Sequence, residues 1–211
     1  MSIDNSIEEE GTSPQKKKRT YRGTVQAEVA ALTQQRIIQA GLALFDEHWG
    51  DDITLDQIAE RAGVTTQTLL RHFGSKDQLA NAISQEAFRL AQQQLAEPPD
   101  GDIASIVHGL VVYYEAGGAR MLRGLAQEER YVHLHTIIDI ARTSHKAWLE
   151  RVFASFLAQC DTAERMRLLA QLYTLTSVYT WQQLRQDCAL SVEETEDALY
   201  DMLMALLARK S

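Results

Sequence analysis

The sequence predicts an all-α fold of about nine helices, a small N-terminal helical domain followed by a larger one. Three observations carry this. Only three prolines occur in 211 residues. Ala, Leu, Gln, Glu and Arg, which give up least on entering a helix, are abundant. Apolar residues recur three and four positions apart through most of the chain, the spacing of one helix face. No apolar run approaches the ~20 residues that a membrane-spanning helix needs, and no secretory apolar region is recognisable. A cytoplasmic protein is therefore expected, with Cys160 and Cys188 as free thiols.

Residues 1–22 read as a disordered arm. Its head, 1–15, holds Asp4, Glu8, Glu9 and Glu10 and no base, and 16–22 then holds Lys16, Lys17, Lys18, Arg19 and Arg22. The first helix is expected from Val25 or Thr33 to Glu47, because Ile37, Ile38, Gly41, Leu42, Leu44 and Phe45 fall on one face. The stretch from Thr54 to Lys76, TLDQIAERAGVTTQTLLRHFGSK, reads as two short helices joined by a tight turn. Thr54 supplies a hydroxyl N-cap, Asp56 and Glu60 favour the helix start, and Leu55, Ile58 and Ala59 form the buried stripe. Gly63 falls where the chain must turn sharply, since a residue without Cβ takes positive φ at little cost. Val64 plugs the corner, and Thr65 caps a second helix that buries Leu69 and Phe73. That helix keeps Thr66, Gln67, Leu70 and Arg71 on an outer face. Two helices joined by such a turn, the second polar outside, are the helix-turn-helix device that enters a DNA major groove.

A fourth helix starts at Ser75, with Asp77 in its first turn, and links the 23–80 domain onward to Ala96. Pro98-Pro99-Asp100-Gly101 ends it and marks the boundary with 97–211. Beyond lie helices expected over 102–116 and 119–130, separated by Gly117-Gly118, and over 134–159, 162–187 and 191–210. Asp161 caps the penultimate one, and Ser191 with Glu194 caps the last.

Four segments together, IIQAGLALF (37–45), TLDQIAERAGV (54–64), TLLRHF (68–73) and SKDQL (75–79), resemble the DNA-binding domain of the tetracycline-repressor (TetR) family. The rest of the chain resembles that family only in length and helical character. The resemblance implies nine helices, double-stranded operator DNA as a partner, and a C-terminal domain for effector binding and dimerisation.

On the DNA face, roles follow from side-chain reach. Thr65, Thr66 and Gln67 lie at the start of the second helix, where Gln67 can pair bidentately with adenine; Arg71 reads guanine or grips phosphate. The resemblance assigns Thr54, His72 and Lys76 to phosphate. Leu70 stands where the family commonly has a tyrosine that would reach phosphate, and is expected to touch a thymine methyl instead. Arg19 and Arg22 read either as a minor-groove arm or as part of a solubilising tail. The net charge of −8 runs against phosphate neutralisation. The bases are concentrated in 16–22, however, and a mildly acidic remainder suits a protein that touches DNA with a small face.

The 162–187 and 191–210 helices carry wider apolar faces than one core needs. Leu172, Tyr179, Leu199, Met202, Leu203 and Leu206 are accordingly expected at a two-fold, four-helix homodimer interface. It would set two recognition helices ~34 Å or a multiple apart, matching a palindromic operator. Leu110, Tyr114, Met121, Leu125, Tyr131, Trp148 and Val152 read by spacing as ordinary core. The resemblance raises the reading that they line a pocket for a hydrophobic or aromatic small-molecule effector, with Tyr114, Tyr131, His133, His135 and Arg142 as its polar atoms.

Ser144-His145 reads as surface-facing. His133-x-His135 lacks i, i+4 spacing and a third ligand, so no metal is expected. No nucleotide-binding, hydrolase or paired-carboxylate motif occurs, so no cofactor and no catalytic residue are expected. The function expected is that of a homodimeric, sequence-specific repressor released by an effector. The alternative is a structural or partner-dependent DNA-binding regulator without one.

Overall fold

The computed structural model describes residues 14–48, 52–95 and 97–208, without the side chains of 14–24, 132 and 133. Among them the regular structure is helical: α1 (Pro14–Glu47), α2 (Leu55–Ala62), α3 (Thr66–Phe73), α4 (Lys76–Gln94), α5 (Ile103–Ala126), α6 (Val132–Val152), α7 (Ala154–Leu157), α8 (Thr162–Leu175), α9 (Val178–Gln182) running into a π turn (Gln183–Asp187), and α10 (Val192–Ala208). With α7 counted as a last turn of α6, nine helices result, divided differently from the expectation.

Three differences have physical causes. Helix α1 begins at Pro14, so 14–22 continue the helix backbone rather than forming an arm; 1–13 lie outside the described residues. Proline suits the first helical position, and the Lys, Arg and Gln that follow are good helix formers. Helix α5 runs unbroken through Gly117-Gly118. A Cβ on the buried Gly118 would stand 2.6 Å from Cζ3 of Trp181. The glycine therefore lets the α9 indole lie on the α5 backbone, and Trp181 Nε1 donates to Glu115 Oε1 at 2.8 Å beside it. Lastly, the single helix expected over 162–187 breaks at Thr176–Ser177, where the Ser177 hydroxyl accepts from Thr180 N and caps a new start.

The buried residues form two hydrophobic clusters. The first joins Ile37, Leu42 and Leu44 of α1 to Ile58 of α2, Leu69 and Phe73 of α3, and Leu79 and Ile83 of α4. Burial of each such side chain contributes on the order of 1.5–3 kcal/mol. The second is built on Ile106, Leu110 and Val111 of α5, Trp148 and Leu149 of α6, and Leu168, Leu172, Leu199 and Leu203 of α8 and α10. Helix α4 belongs to the first and leads to the second. The turn after it is pinned where the Asp100 carboxylate accepts from Ser155 N at 3.0 Å.

Candidate functional site

The helix-turn-helix is set by its caps. Thr54 Oγ1 accepts from Gln57 N at 3.2 Å, and Gln57 Oε1 accepts from Thr54 N at 2.7 Å, a reciprocal box that starts α2. Gly63 ends α2 in the left-handed region, φ 66°, with its N–H on Ala59 and Glu60 carbonyls. Space around it is open, so the φ angle and not crowding selects glycine. Thr65 Oγ1 then accepts from Thr68 N at 3.1 Å and starts α3. Leu69 and Phe73 turn inward. Arg61 donates to both oxygens of Glu47 at 2.7 Å, fastening α2 to α1 and holding that carboxyl below its usual range.

Gln67, Leu70 and Arg71 share the exposed face of α3, three and four positions apart, and Lys76 is exposed at the first turn of α4. His72 is half-buried between these faces. Thr54 and Thr65 spend their hydroxyls on caps. Thr66 donates to Asp56 Oδ1 at 2.6 Å, so it bridges α3 to α2 instead of standing free for a base. Arg19 and Arg22 lie on the N-terminal part of α1, and their side chains fall outside the described residues.

A cavity of about 340 Å³ lies between α4 and the C-terminal helices, lined by Leu110, Tyr114, Met121, Leu125 and Tyr131 among others. Trp148 and Val152, expected there, do not line it: they are packed in the C-terminal core. His135 also departs from expectation, being exposed between Glu128 at 3.5 Å and Asp139 at 3.3 Å. The side chain of His133 is outside the described residues. Arg142 does line the cavity, with its guanidinium matched by Glu128 at 2.5 and 2.7 Å.

The largest omission from the sequence reading is His145. Expected at the surface, it lines the cavity and is mostly buried, which depresses its pKa to about 4. Its Nε2 lies 3.0 Å from Thr176 Oγ1, and that hydroxyl donates to Leu172 O at 2.8 Å. Tyr114, whose phenol burial keeps protonated, donates to Thr176 O at 2.7 Å. The break between α8 and α9 is thus held from the cavity wall. A signal for it was available: α6 places His145 four residues from Ala141 and three from Trp148, on its inward face.

Helix α5 joins the cavity to the helix-turn-helix segment. Met121 and Leu125 line the cavity, while Arg123 donates from Nε to Phe45 O at 3.1 Å and from Nη2 to Asp46 O at 2.9 Å. A cation at the last carbonyls of α1 meets both the orphan acceptors and the negative helix end.

Most of the residues expected at a dimer interface turn inward in the single chain. Leu172, Leu199 and Leu203 are at most 1% exposed within this one chain and belong to its core. Met202 and Leu206 are partly buried against the same core. Tyr179 of α9, also expected there, is exposed, as are Met166 of α8 and Tyr200 and Met204 of α10. The sequence showed two wide apolar faces without showing which side each helix turns to its own core.

Residues 37–83 match the family described as bacterial regulatory proteins, tetR family. The HTH-type transcriptional regulator SrpR of Pseudomonas putida is 45% identical over 51 residues, 24% of this chain and 24% of that protein. The uncharacterized HTH-type transcriptional regulator TtgW, also of Pseudomonas putida, is 45% identical over 51 residues, 24% of this chain and 38% of that one. The match thus spans well under half of either relative. A transcriptional regulator from Rhodococcus sp. Rha1 shares the fold at TM-score 0.63 and 18% identity, over 83% of this chain and 96% of its own. A regulator from Mesorhizobium loti, assigned to the TetR family, gives TM-score 0.62 and 16% identity, over 85% and 96%. No helix among the described residues is long and apolar enough to cross a membrane.

Proposed function

We propose that this chain, whose residues 37–83 match the tetR family of bacterial regulatory proteins, is a homodimeric, sequence-specific repressor released from its operator by a small, mainly apolar effector. Each protomer lays α3 in a major groove. Gln67 and Arg71 read base edges, Leu70 meets a thymine methyl, and Thr54, His72 and Lys76 face phosphates. Arg19 and Arg22 approach the flanking duplex. Met166, Tyr179, Tyr200 and Met204 meet their two-fold mates in the partner.

One observation carries the effector part: the recognition helix and the cavity share a helix. Helix α4 begins at Lys76, three residues beyond Phe73, and lines the cavity with Ile83, Ala87 and Phe88. An occupant that fits only with α4 displaced shifts the spacing of the two α3 helices. It needs to favour the displaced state by a few kcal/mol, since equal affinity for both states shifts nothing.

Titrating a selected operator duplex with the protein tests this reading. Saturation at two protomers per duplex, with loss of binding for Arg71→Ala, is expected. Saturation at one protomer, or full binding by the variant, contradicts it.

A further inference from the structure

We propose that the ligand of the cavity is an uncharged aromatic molecule carrying a hydrogen-bond donor, such as a phenolic hydroxyl, which it gives to Nδ1 of His145. This rests on the reading of the cavity as an effector site and adds the chemistry of its occupant.

The partners of Thr176 fix the tautomer of His145. The proton of the Thr176 hydroxyl is committed to Leu172 O, leaving a lone pair of Oγ1 for His145 at 3.0 Å. His145 must then donate from Nε2. A neutral imidazole that donates from Nε2 has only an acceptor at Nδ1. Burial keeps the ring neutral in the physiological range. No hydrogen bond to Nδ1 is formed by the protein among the described residues, and no fully buried side-chain N or O atom in them lacks a partner. Since His145 lines the cavity, Nδ1 is the ring atom left for its contents.

Several polar groups nearby are already committed. Tyr114 gives its hydroxyl proton to Thr176 O. Gln127 donates from Nε2 to Arg123 O at 3.0 Å. The charge of Arg142 is met by Glu128 and Asp139, and that of Arg120 by Asp46 at 3.3 Å. Lys76 and Asp77, the remaining charged residues of the lining, are exposed at the first turn of α4. Beside Arg142 and Arg120 an anionic ligand would find no unmatched cation, so a charged ligand held there would lose hydration without replacement. Much of the wall is hydrocarbon and aromatic ring, with the Tyr173 ring 5.1 Å from His145 and tilted 39° to it. A planar ring joins that aromatic cluster, and its donor meets the Nδ1 acceptor. A ring without a donor would instead desolvate Nδ1 with nothing in return, the circumstance in which a hydrogen-bonding site rejects an analogue.

The test is equilibrium binding of four matched probes to the full-length protein, by calorimetry: 1-naphthol, 1-methoxynaphthalene, naphthalene and 1-naphthoate. The expected order places 1-naphthol about tenfold or more tighter than its ether and naphthalene, with 1-naphthoate weakest. In His145→Phe, checked for folding by circular dichroism, naphthalene still binds and the advantage of 1-naphthol disappears. Should His145→Phe not fold, the order of the four probes on the unaltered protein decides. Equal binding of 1-naphthol, its ether and naphthalene overturns the His145 proposal while leaving the cavity as a binding site. Tightest binding of 1-naphthoate overturns the uncharged class. Binding of none of the four overturns the effector site itself and this proposal with it.

Discussion

Arg123 of α5 holds the carbonyl oxygen of Phe45 at 3.1 Å, at the C-terminal end of α1 and across the boundary between the two cores. The same helix forms part of the cavity wall through Met121 and Leu125. A shift of α5 therefore reaches α1 and the helix-turn-helix packed on it through a charged hydrogen bond as well as through α4. Arg123→Met should lower stability by about 1–2 kcal/mol in urea unfolding. It should also weaken the effect of ligand on DNA affinity several-fold while leaving ligand affinity nearly unchanged. Loss of stability with unchanged coupling would confine Arg123 to a structural role.

Gln67 and Lys76 should fail differently. Gln67→Ala removes a base-edge contact and should relax sequence preference at one half-site position by about 1–3 kcal/mol. Lys76→Ala should weaken binding to all duplexes similarly and lower the salt-dependence slope by about 1 per protomer. Fluorescence anisotropy on operator and scrambled duplexes across a salt series separates the two. Equal losses on every sequence for both would refute the division.

The dimer face is tested by Met204→Glu combined with Tyr179→Glu, both exposed in the single chain. Two carboxylates at a two-fold interface meet their mates and lose hydration, so sedimentation should show monomers at concentrations where the unaltered protein is dimeric. Leu203→Glu, by contrast, should unfold the chain, because Leu203 is fully buried in its own core.

Gly118→Ala places a methyl 2.6 Å from the Trp181 ring. Overpacking of this kind costs about 1–3 kcal/mol. The prediction is a lower melting temperature and altered Trp fluorescence, since the indole must leave either α5 or Glu115. An unchanged melting temperature would mean that α9 yields freely.

His145 makes stability depend on pH. Its folded-state pKa of about 4 lies below the ordinary 6.5. Between these values the unfolded chain binds the extra proton, so stability rises with pH across the window. The contribution is complete above pH 6.5 and is lost as pH falls toward 4, to a limit of about 3 kcal/mol. Urea midpoints at pH 7 and 5 check this, and His145→Phe should flatten the difference.

The helix-turn-helix was legible because its signals are local. Capping threonines, one glycine at φ 66° and a stripe of Leu69 and Phe73 all lie within a span of twenty-three residues, 54–76. The C-terminal domain was harder because its decisions are made between distant helices. Gly118 looked like a helix break until Trp181, far along the chain, required its space. Leu172, Leu199 and Leu203 carry the apolar character that a dimer face would show, and only packing assigns them to one core. His145 was missed because its one local sign, the register with Ala141 and Trp148, was weak, and its partner Thr176 lies 31 residues away and meets it only through packing. Thr66 looked free for DNA because Asp56, ten residues earlier, is brought beside it only by the turn.

The most direct test of the central claim is selection of bound sequences from a random duplex library by the full-length protein at about 150 mM salt. The account predicts a palindrome with half-sites about one helical turn or a multiple apart, from which 1-naphthol releases the protein. Recovery of no motif, with binding that merely fades as salt rises, would contradict it.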